Sequence, residues 1–159
     1  MPRINRGTSP ARDQMSTGPS VFEKDSKIVA ATTWFRVYPA DETFSDRLVY
    51  GVMAGVSLII DNYMRGGCTA GGEFQMMRKE AFHKIGGFNK TIPVSEDLDI
   101  FQRIAKVGRV YFANDLFIYH SGRRAHKVGW TSLIMNFFVN RVSMFFFNKA
   151  VIKEWKVVR

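Results

Sequence analysis

The sequence has little cysteine and no secretory signal, and each shortage excludes a class of protein. One cysteine, Cys68, is present among 159 residues, so no internal disulfide can form and a disulfide-stabilised scaffold is excluded. The N-terminus has no apolar segment of the kind that a secretory signal requires. These features favour a reducing compartment, with the cytosol as the default. Hydrophobic residues make up 46% of the chain, which excludes a collagen-like or wholly disordered protein.

Long hydrophobic runs are also missing. The segment from Leu48 to Ile60 carries no charge, but its 13 residues fall short of the roughly 20 that a membrane-spanning helix needs. Segment 131–147 is longer, but polar side chains interrupt it near one helical face, at Asn136, Asn140, Arg141 and Ser143. The surface left over is apolar, with Leu133, Ile134, Phe137, Phe138, Phe145 and Phe146. This pattern favours an amphipathic helix lying in a membrane interface, and a helix packed on a core or a partner is the alternative.

Acidic residues are scarce in the last part of the chain. Residues 1–102 contain 12 basic and 12 acidic side chains, whereas residues 103–159 contain 11 basic side chains and only Asp115 and Glu154 as acids. The formal charge of +9 therefore lies in the last 57 residues. A one-sided charge of this kind indicates an anionic partner, which is a nucleic acid, a membrane surface or a phosphorylated ligand.

Runs of β-branched and aromatic residues predict several short strands. A buried strand is expected over residues 26–34, with 36–38 as its extension, and a short strand within 73–77. Residues 109–113 and 116–120 are expected to form two strands, separated by a turn at Asn114-Asp115.

Helices are predicted between these strands. The first runs from Thr43 to Met64 as one long buried helix, with Thr43 or Ser45 as its cap and Gly66-Gly67 as its stop. The second covers residues 78–85 and ends in a left-handed cap at Gly86-Gly87. The third begins after Ser95 as N-cap and stops at Gly108.

The mixed order of strands and helices predicts an α/β fold, although three to five strands are few for a complete ligand-binding domain. Three segments are expected along the chain. They are a disordered basic leader over residues 1–20, an α/β part over residues 21–130, and an amphipathic membrane-associated helix with a basic tail over residues 131–159.

The glycine-rich loop from Arg65 to Gly72 suggests two interpretations. Gly66 and Gly71 have the spacing of a phosphate-binding loop, but Gly72 and Glu73 stand where that loop needs Lys and Ser or Thr. A tight connection with a close backbone approach is therefore the favoured interpretation.

Three carboxylates occur in one helical turn, at Glu96, Asp97 and Asp99. Acids in the first turn complement the helix dipole, typically by about 0.3–1 kcal/mol each. Alternatively, one carboxylate faces a cleft and acts as a general base while the others hold the helix. The local pattern alone leaves both interpretations open.

Basic and titratable groups gather after the last predicted strand, at His120, Arg123 and Arg124. A histidine at a strand end can bind a metal, and an arginine fork can bind a diphosphate. The alternative is a solvated basic loop. His126 is expected to be an ordinary surface residue.

Three ordered motifs resemble the C-terminal half of family 2 glycosyltransferases. They are Met77-Arg-Lys-Glu-Ala-Phe-His-Lys-Ile-Gly-Gly-Phe88, then Val94-Ser-Glu-Asp-Leu-Asp-Ile-Phe-Gln-Arg-Ile-Ala-Lys-Val-Gly108, then Tyr119-His-Ser-Gly-Arg-Arg124. The resemblance covers about residues 21–130. It implies a partial GT-A fold, of the type found in nucleotide-diphospho-sugar transferases, and inverting transfer of a sugar, of hexosyltransferase type, from a nucleotide-sugar donor to a hydroxyl acceptor.

The same resemblance implies roles for particular residues. Asp97 matches the catalytic base, and Glu96 and Asp99 match its supporting acids. His120 matches a position that completes a metal site for Mg²⁺ or Mn²⁺ in some relatives, and Arg123 or Arg124 matches a position beside the diphosphate. Gly71, Gly72 and Arg78 match the acceptor region.

The resemblance begins downstream of the nucleotide-binding half of the family and of the Asp-x-Asp motif that ends that half. Two explanations are open: the chain is a fragment, a truncated product of such an enzyme, or a separate polypeptide supplies the nucleotide-binding half as its partner. Residues 131–159 are expected to hold the chain at the cytoplasmic face of a membrane near a lipid-linked acceptor. The alternative is a non-catalytic module that binds a membrane or a partner. A nucleic-acid partner is not expected, because the aromatic residues occupy an apolar helix face and no zinc or RNP-type motif is present.

Overall fold

The computed structural model describes residues 21–23, 25–68, 72–92 and 94–147, and of residues 141 and 144–147 only the backbone. The predicted leader over 1–20, the basic tail over 148–159 and Gly71 lie outside the described residues. The strands are β1 (Ile28–Val37), β2 (Met76–Met77) and β3 (Arg109–His120). The helices are α1 (Phe44–Leu58), a π-helix continuing it (Ile59–Tyr63), α2 (Lys79–Lys84), α3 (Glu96–Ile104), α4 (Arg123–Val128) and α5 (Trp130–Phe147).

The three strands form one sheet in the order β2-β1-β3. The central strand β1 runs parallel to β3 and antiparallel to β2. Its ten residues are almost all buried, which agrees with a continuous run of apolar and β-branched side chains covered on both faces. The predicted α/β class is confirmed by this mixed sheet and its helices.

The segment predicted as two strands is a single strand, β3. The pairing with β1 shifts from Thr33 opposite Ala113 to Trp34 opposite Phe117, so the residues between them form a bulge. The Thr33 hydroxyl donates to the carbonyls of Ala113 and Leu116, and these bonds tie both sides of the bulge to β1. The expected turn at Asn114-Asp115 was therefore wrong, because the tertiary contacts keep the chain extended.

Helix α1 begins where the sequence predicts. Thr43 is its N-cap in a complete capping box, since the Thr43 side chain accepts from the N–H of Asp46 and the Asp46 carboxylate accepts from the N–H of Thr43. The chain then continues through the π-helix to Tyr63. Four residues after Tyr63, Gly67 makes the close approach expected of the glycine-rich loop, because a Cβ there would lie 2.1 Å from the carbonyl oxygen of Phe101.

The expectation that this helix is buried was wrong. The residues of α1 and the π-helix that face the interior include polar ones, Asp46, Ser57 and Asp61, which are at most 2% exposed. Six outward residues are large, apolar and between 47% and 81% exposed: Phe44, Leu48, Val52, Val56, Ile59 and Tyr63. We call these six residues the α1 stripe.

The main core lies between β1 and the short helices α2 and α3. Its buried members are Ala30, Ala81, Ile100, Phe101, Ile104 and Val110. Gly86 and Gly87 close α2 with φ values of 77° and 69°, which confirms the predicted left-handed cap. Ser95 precedes α3 but does not cap it with its side chain. It has a left-handed φ of 69°, and its Oγ accepts a hydrogen bond from Asn140 at 3.4 Å.

Helix α5, like α1, buries polar side chains and exposes apolar ones. Asn140 and Ser143, predicted to face away from the apolar surface, are buried against the protein. Among the described side chains beyond Ser132, the outward ones are apolar, namely Ile134, Met135, Phe137, Phe138, Val139 and Val142. Of the predicted apolar residues with described side chains, Leu133 alone is buried. Within the described part of the chain, no helix combines the length and the apolarity needed to cross a bilayer.

Candidate functional site

The acidic turn at the start of α3 places its three carboxylates in different surroundings. Glu96 is exposed. The carboxylate of Asp99 accepts two hydrogen bonds from the Arg103 guanidinium, at 2.8 and 2.6 Å. Asp97 is half-buried, and its Oδ1 accepts from the N–H of Leu98 at 2.8 Å. Among the described residues it has no ion pair. The three acids are therefore not equivalent, and Asp97 is the one that is both partly buried and without a salt bridge.

Asp97 faces the end of the glycine-rich loop. A Cβ placed on Gly72 would lie 3.6 Å from Oδ2 of Asp97, which is van der Waals contact. Burial raises the pKa of Asp97, the backbone N–H of Leu98 lowers it in part, and the negative charges of Glu96 and Glu73 raise it further. A carboxylate with a raised pKa holds a proton more firmly than an ordinary one, which is the property a general base needs.

Glu73 connects Asp97 with helix α1. Its charge raises the pKa of Asp97, and, after burial, it is the next cause that raises the pKa of Tyr50. The charge of the exposed Glu73 therefore acts on both the acidic turn and the first half of α1. From the sequence, Glu73 was noted only as a departure from a phosphate-binding loop and not as a neighbour of the acidic turn. Its position directly after Gly72 was the signal that could have found it.

His120, at the end of β3, lies among aromatic rings. Its ring stands edge-on to Tyr50 at 4.9 Å and to Phe35 at 6.1 Å between centroids. Its Nε2 is buried, and within the described residues that atom has no hydrogen-bond partner. Tyr50 also contacts Trp130 edge-on at 4.9 Å. The predicted metal ligand is thus part of an aromatic joint between the sheet, α1 and α5.

Asp46 is the centre of a second polar cluster, which joins α1 to α4 and α5. Its carboxylate accepts from the N–H and the hydroxyl of Thr43, from His126 Nε2 and from Trp130 Nε1, each at 2.8 Å. Burial alone would raise the pKa of Asp46, but these hydrogen bonds outweigh it and lower the pKa to about 2. His126, expected to be an ordinary surface residue, is therefore a structural partner. Its spacing of four residues from Trp130 was the available signal.

The remaining predicted site residues lie in several places. Arg123 and Arg124 are exposed on the first turn of α4, and Nε of Arg123 donates to Ser121 Oγ at 3.2 Å. Arg78 is committed to the backbone, because its guanidinium donates to the carbonyls of Ile28 and Phe22. The structure therefore brings Asp97 and Gly72 together and uses Arg78 to hold the start of β1.

The described residues do not by themselves form a metal site. No group of three or more His, Cys, Asp or Glu side chains within the described ranges is arranged to hold a metal ion. His120 supplies one nitrogen, and its neighbouring rings supply no ligand. The divalent ion that the resemblance implies stays a prediction, and no chemical step below depends on it.

Comparison of the chain with models of protein families, with curated proteins and with solved structures finds no significant match. The resemblance to family 2 glycosyltransferases therefore depends on the three motifs alone.

Proposed function

We propose that this chain is the acceptor-side half of a GT-A-type inverting glycosyltransferase, which transfers a sugar from a nucleotide-sugar donor to a hydroxyl group. The observation that carries the proposal is the position of Asp97, a half-buried carboxylate beside the glycine-rich loop whose pKa is raised by burial. Among the described residues Asp97 has no ion pair, whereas its neighbour Asp99 pairs with Arg103 at 2.6 Å.

In the proposed reaction Asp97 removes the proton from the acceptor hydroxyl, and the oxygen then attacks the anomeric carbon of the donor sugar. The bond from that carbon to the diphosphate oxygen breaks, and the nucleoside diphosphate leaves with the electron pair. Glu73 and Glu96 support the base by raising its pKa. The exposed cations Arg123 and Arg124 offer donors to diphosphate oxygens.

The nucleotide-binding half comes, in this proposal, from chain outside these 159 residues or from a separate polypeptide. The outward apolar face of α5 supports a position at the cytoplasmic side of a membrane, since an amphipathic helix with such a face binds in the interface. A lipid-linked or membrane-proximal acceptor fits that position.

The test is release of nucleoside diphosphate by the chain combined with a nucleotide-binding half. We expect Asp97→Asn to lower kcat by about 10²–10⁴-fold, the usual contribution of a general base. Asp115→Asn is the matched control, because it makes the same chemical change at an exposed position in the bulge of β3. Unchanged turnover in Asp97→Asn would show that this residue is not the base.

A second candidate is a non-catalytic module that binds a membrane or a partner protein. The observation that favours it is the apolar outward face of α5, because such a face can bind a membrane or a protein without any catalytic step. Such a module would bind vesicles equally well with Asp97→Asn, and it would show no donor turnover in any combination.

A further inference from the structure

We propose that the α1 stripe is a second lipid-binding surface, suited to the headgroup and upper acyl region of an anionic bilayer. This surface is separate from α5, and the sequence pattern did not predict it. The proposal does not depend on glycosyl transfer, because lipid binding requires neither a donor nor a base.

The first argument is that polar contacts fix the orientation of α1. Asp46 is held by His126 and Trp130, the Asp61 carboxylate accepts from the N–H of Cys68 at 2.7 Å, and Asn62 bonds to the backbone of Phe112. Rotating the helix to bury its apolar side would break these buried bonds, which is costly. The stripe is therefore held outward by the fold.

The second argument concerns the chemistry of the exposed surface. Between Arg47 and Arg65 the exposed side chains are Leu48, Val52, Val56, Ile59, Tyr63 and Met64, with Gly51 among them and no charged residue. Among these side chains only Tyr63 can form a hydrogen bond. A protein interface carries about one hydrogen bond per 100–200 Å² and has a polar rim. Contact with the acyl region of a bilayer requires no hydrogen bonds from the side chains. The all-apolar surface therefore favours lipid over a protein partner.

The third argument is charge complementarity at the two ends of this surface. Arg65 is exposed just beyond the π-helix, and Arg47, which pairs with Glu42 at 2.7 Å, keeps 65% of its side chain exposed. Basic groups near an anionic leaflet favour binding. Phe44 and Tyr63, the most exposed aromatics, stand at opposite ends of the stripe, where the ring side chains suit the headgroup region.

The stripe is also joined to α5, the other helix with an outward apolar face. Trp130, the first residue of α5, donates to Asp46 and packs edge-on against Tyr50. The two apolar helices are thus attached at a shared joint. A single bilayer contact that uses both would be stronger than either alone.

The experiment measures partition of the full chain onto vesicles of phosphatidylglycerol and phosphatidylcholine, with no donor or acceptor present. We expect Val52→Glu/Val56→Glu to weaken partition by about tenfold or more, because two charges must enter the interface. Lys79→Gln/Lys84→Gln on the exposed side of α2 lowers the net charge equally and is the matched control. It should lose only the part of binding that depends on net charge. Asp97→Asn removes one negative charge and should bind at least as well as the unaltered chain, which separates this result from failure of the proposed transferase.

A second measurement guards against misfolding of the glutamate variant. A nitroxide attached to Val52→Cys should become more accessible to oxygen and less accessible to a water-soluble nickel complex when vesicles are added. Thr91→Cys, in an exposed loop, is the control site and should stay accessible to the nickel complex. Cys68 is 3% exposed, so the label goes to the introduced thiol.

Two results would overturn the proposal. One is nickel accessibility at residue 52 that is the same with and without vesicles. The other is a dimer in lipid-free buffer that Val52→Glu/Val56→Glu converts to a monomer, since a second copy would then cover the stripe.

Discussion

Asp46 and Asp97 are both aspartates in the first turn of a helix, yet the protein treats them in opposite ways. Asp46 is fully buried and receives hydrogen bonds from Thr43, His126 and Trp130, so its pKa falls. Asp97 is less deeply buried and lies near Glu73 and Glu96, and its pKa rises. Both carboxylates lose hydration. Asp46 receives four hydrogen bonds that replace the lost water, whereas the backbone donors to Asp97 offset its burial only in part.

This difference separates a structural carboxylate from one poised for chemistry. A buried charge with well-placed donors holds several elements together, and removing it leaves those donors unsatisfied. A carboxylate with few donors and negative neighbours is held in an unfavourable charged state, and it accepts a proton readily. Four measurements sharpen this comparison, beginning with the largest expected effect.

Asp46→Ala should destabilise the protein by about 3–5 kcal/mol, the usual cost of removing one member of a buried charged network. His126 and Trp130 lose their acceptor in this variant, and α1 loses its capping box. The measurement is urea unfolding followed by circular dichroism. A loss below about 1 kcal/mol would mean that water replaces the carboxylate and that the network is not a structural centre.

Acid should remove the stabilisation that Asp46 provides. Because the folded pKa is lowered to about 2, the contribution is present above the ordinary value near 3.9 and is lost as the pH falls from about 4 to about 2. The difference in unfolding free energy between the unaltered protein and Asp46→Asn should shrink by about 2 kcal/mol over this range. A difference that does not change with pH would contradict the assigned shift.

Trp130→Phe should cost about 1.5 kcal/mol, since it keeps the aromatic packing on Tyr50 but removes one donor to a charged acceptor. Thermal unfolding of the variant measures this loss. In the Asp46→Ala background the same substitution should have a much smaller effect, and equal losses in both backgrounds would show that the indole N–H contributes nothing to the network.

Asp97→Asn should have the smallest effect, and the effect should have the opposite sign. Burial and negative neighbours disfavour the ionised form of Asp97, so a neutral amide should leave the protein equally or more stable at pH 7. The gain should disappear as the pH falls and the aspartate itself becomes protonated. Clear destabilisation at pH 7 would indicate that Asp97, like Asp46, has a structural role.

The sequence predicted those features whose causes are local. The start of α1 depends on Thr43 and Asp46, three residues apart, and the end of α2 depends on Gly86 and Gly87. The orientation of α1 could not be predicted in the same way, because it depends on Asp46 meeting His126 and Trp130, 80 and 84 residues away. Periodicity identifies an apolar face, but it does not say whether that face points inward.

In the candidate site, too, features with local causes were predicted from the sequence and features with long-range causes were not. Asp97 was identified from the acidic turn and the motif around it, and the structure adds its burial and its contact with Gly72. Glu73 was missed because its influence on Asp97 depends on how the glycine-rich loop returns to α3. The sequence predicts a turn at the bulge in β3, because Asn114-Asp115 is a local turn signal. The hydrogen bonds from the Thr33 hydroxyl that keep the strand continuous are long-range, so the local pattern does not reveal them.

The π-helix has a consequence for how this sheet can associate with other chains. On the outer edge of β3, Asn62 donates from Nδ2 to the carbonyl of Phe112 and accepts from its N–H, at 3.0 and 2.9 Å. At Phe112 the side-chain amide thereby occupies the positions that a neighbouring strand would use, and it protects this point of the edge from strand addition. A strand that pairs with β3 at Phe112 would first have to displace Asn62, so the π-helix controls access to this part of the sheet.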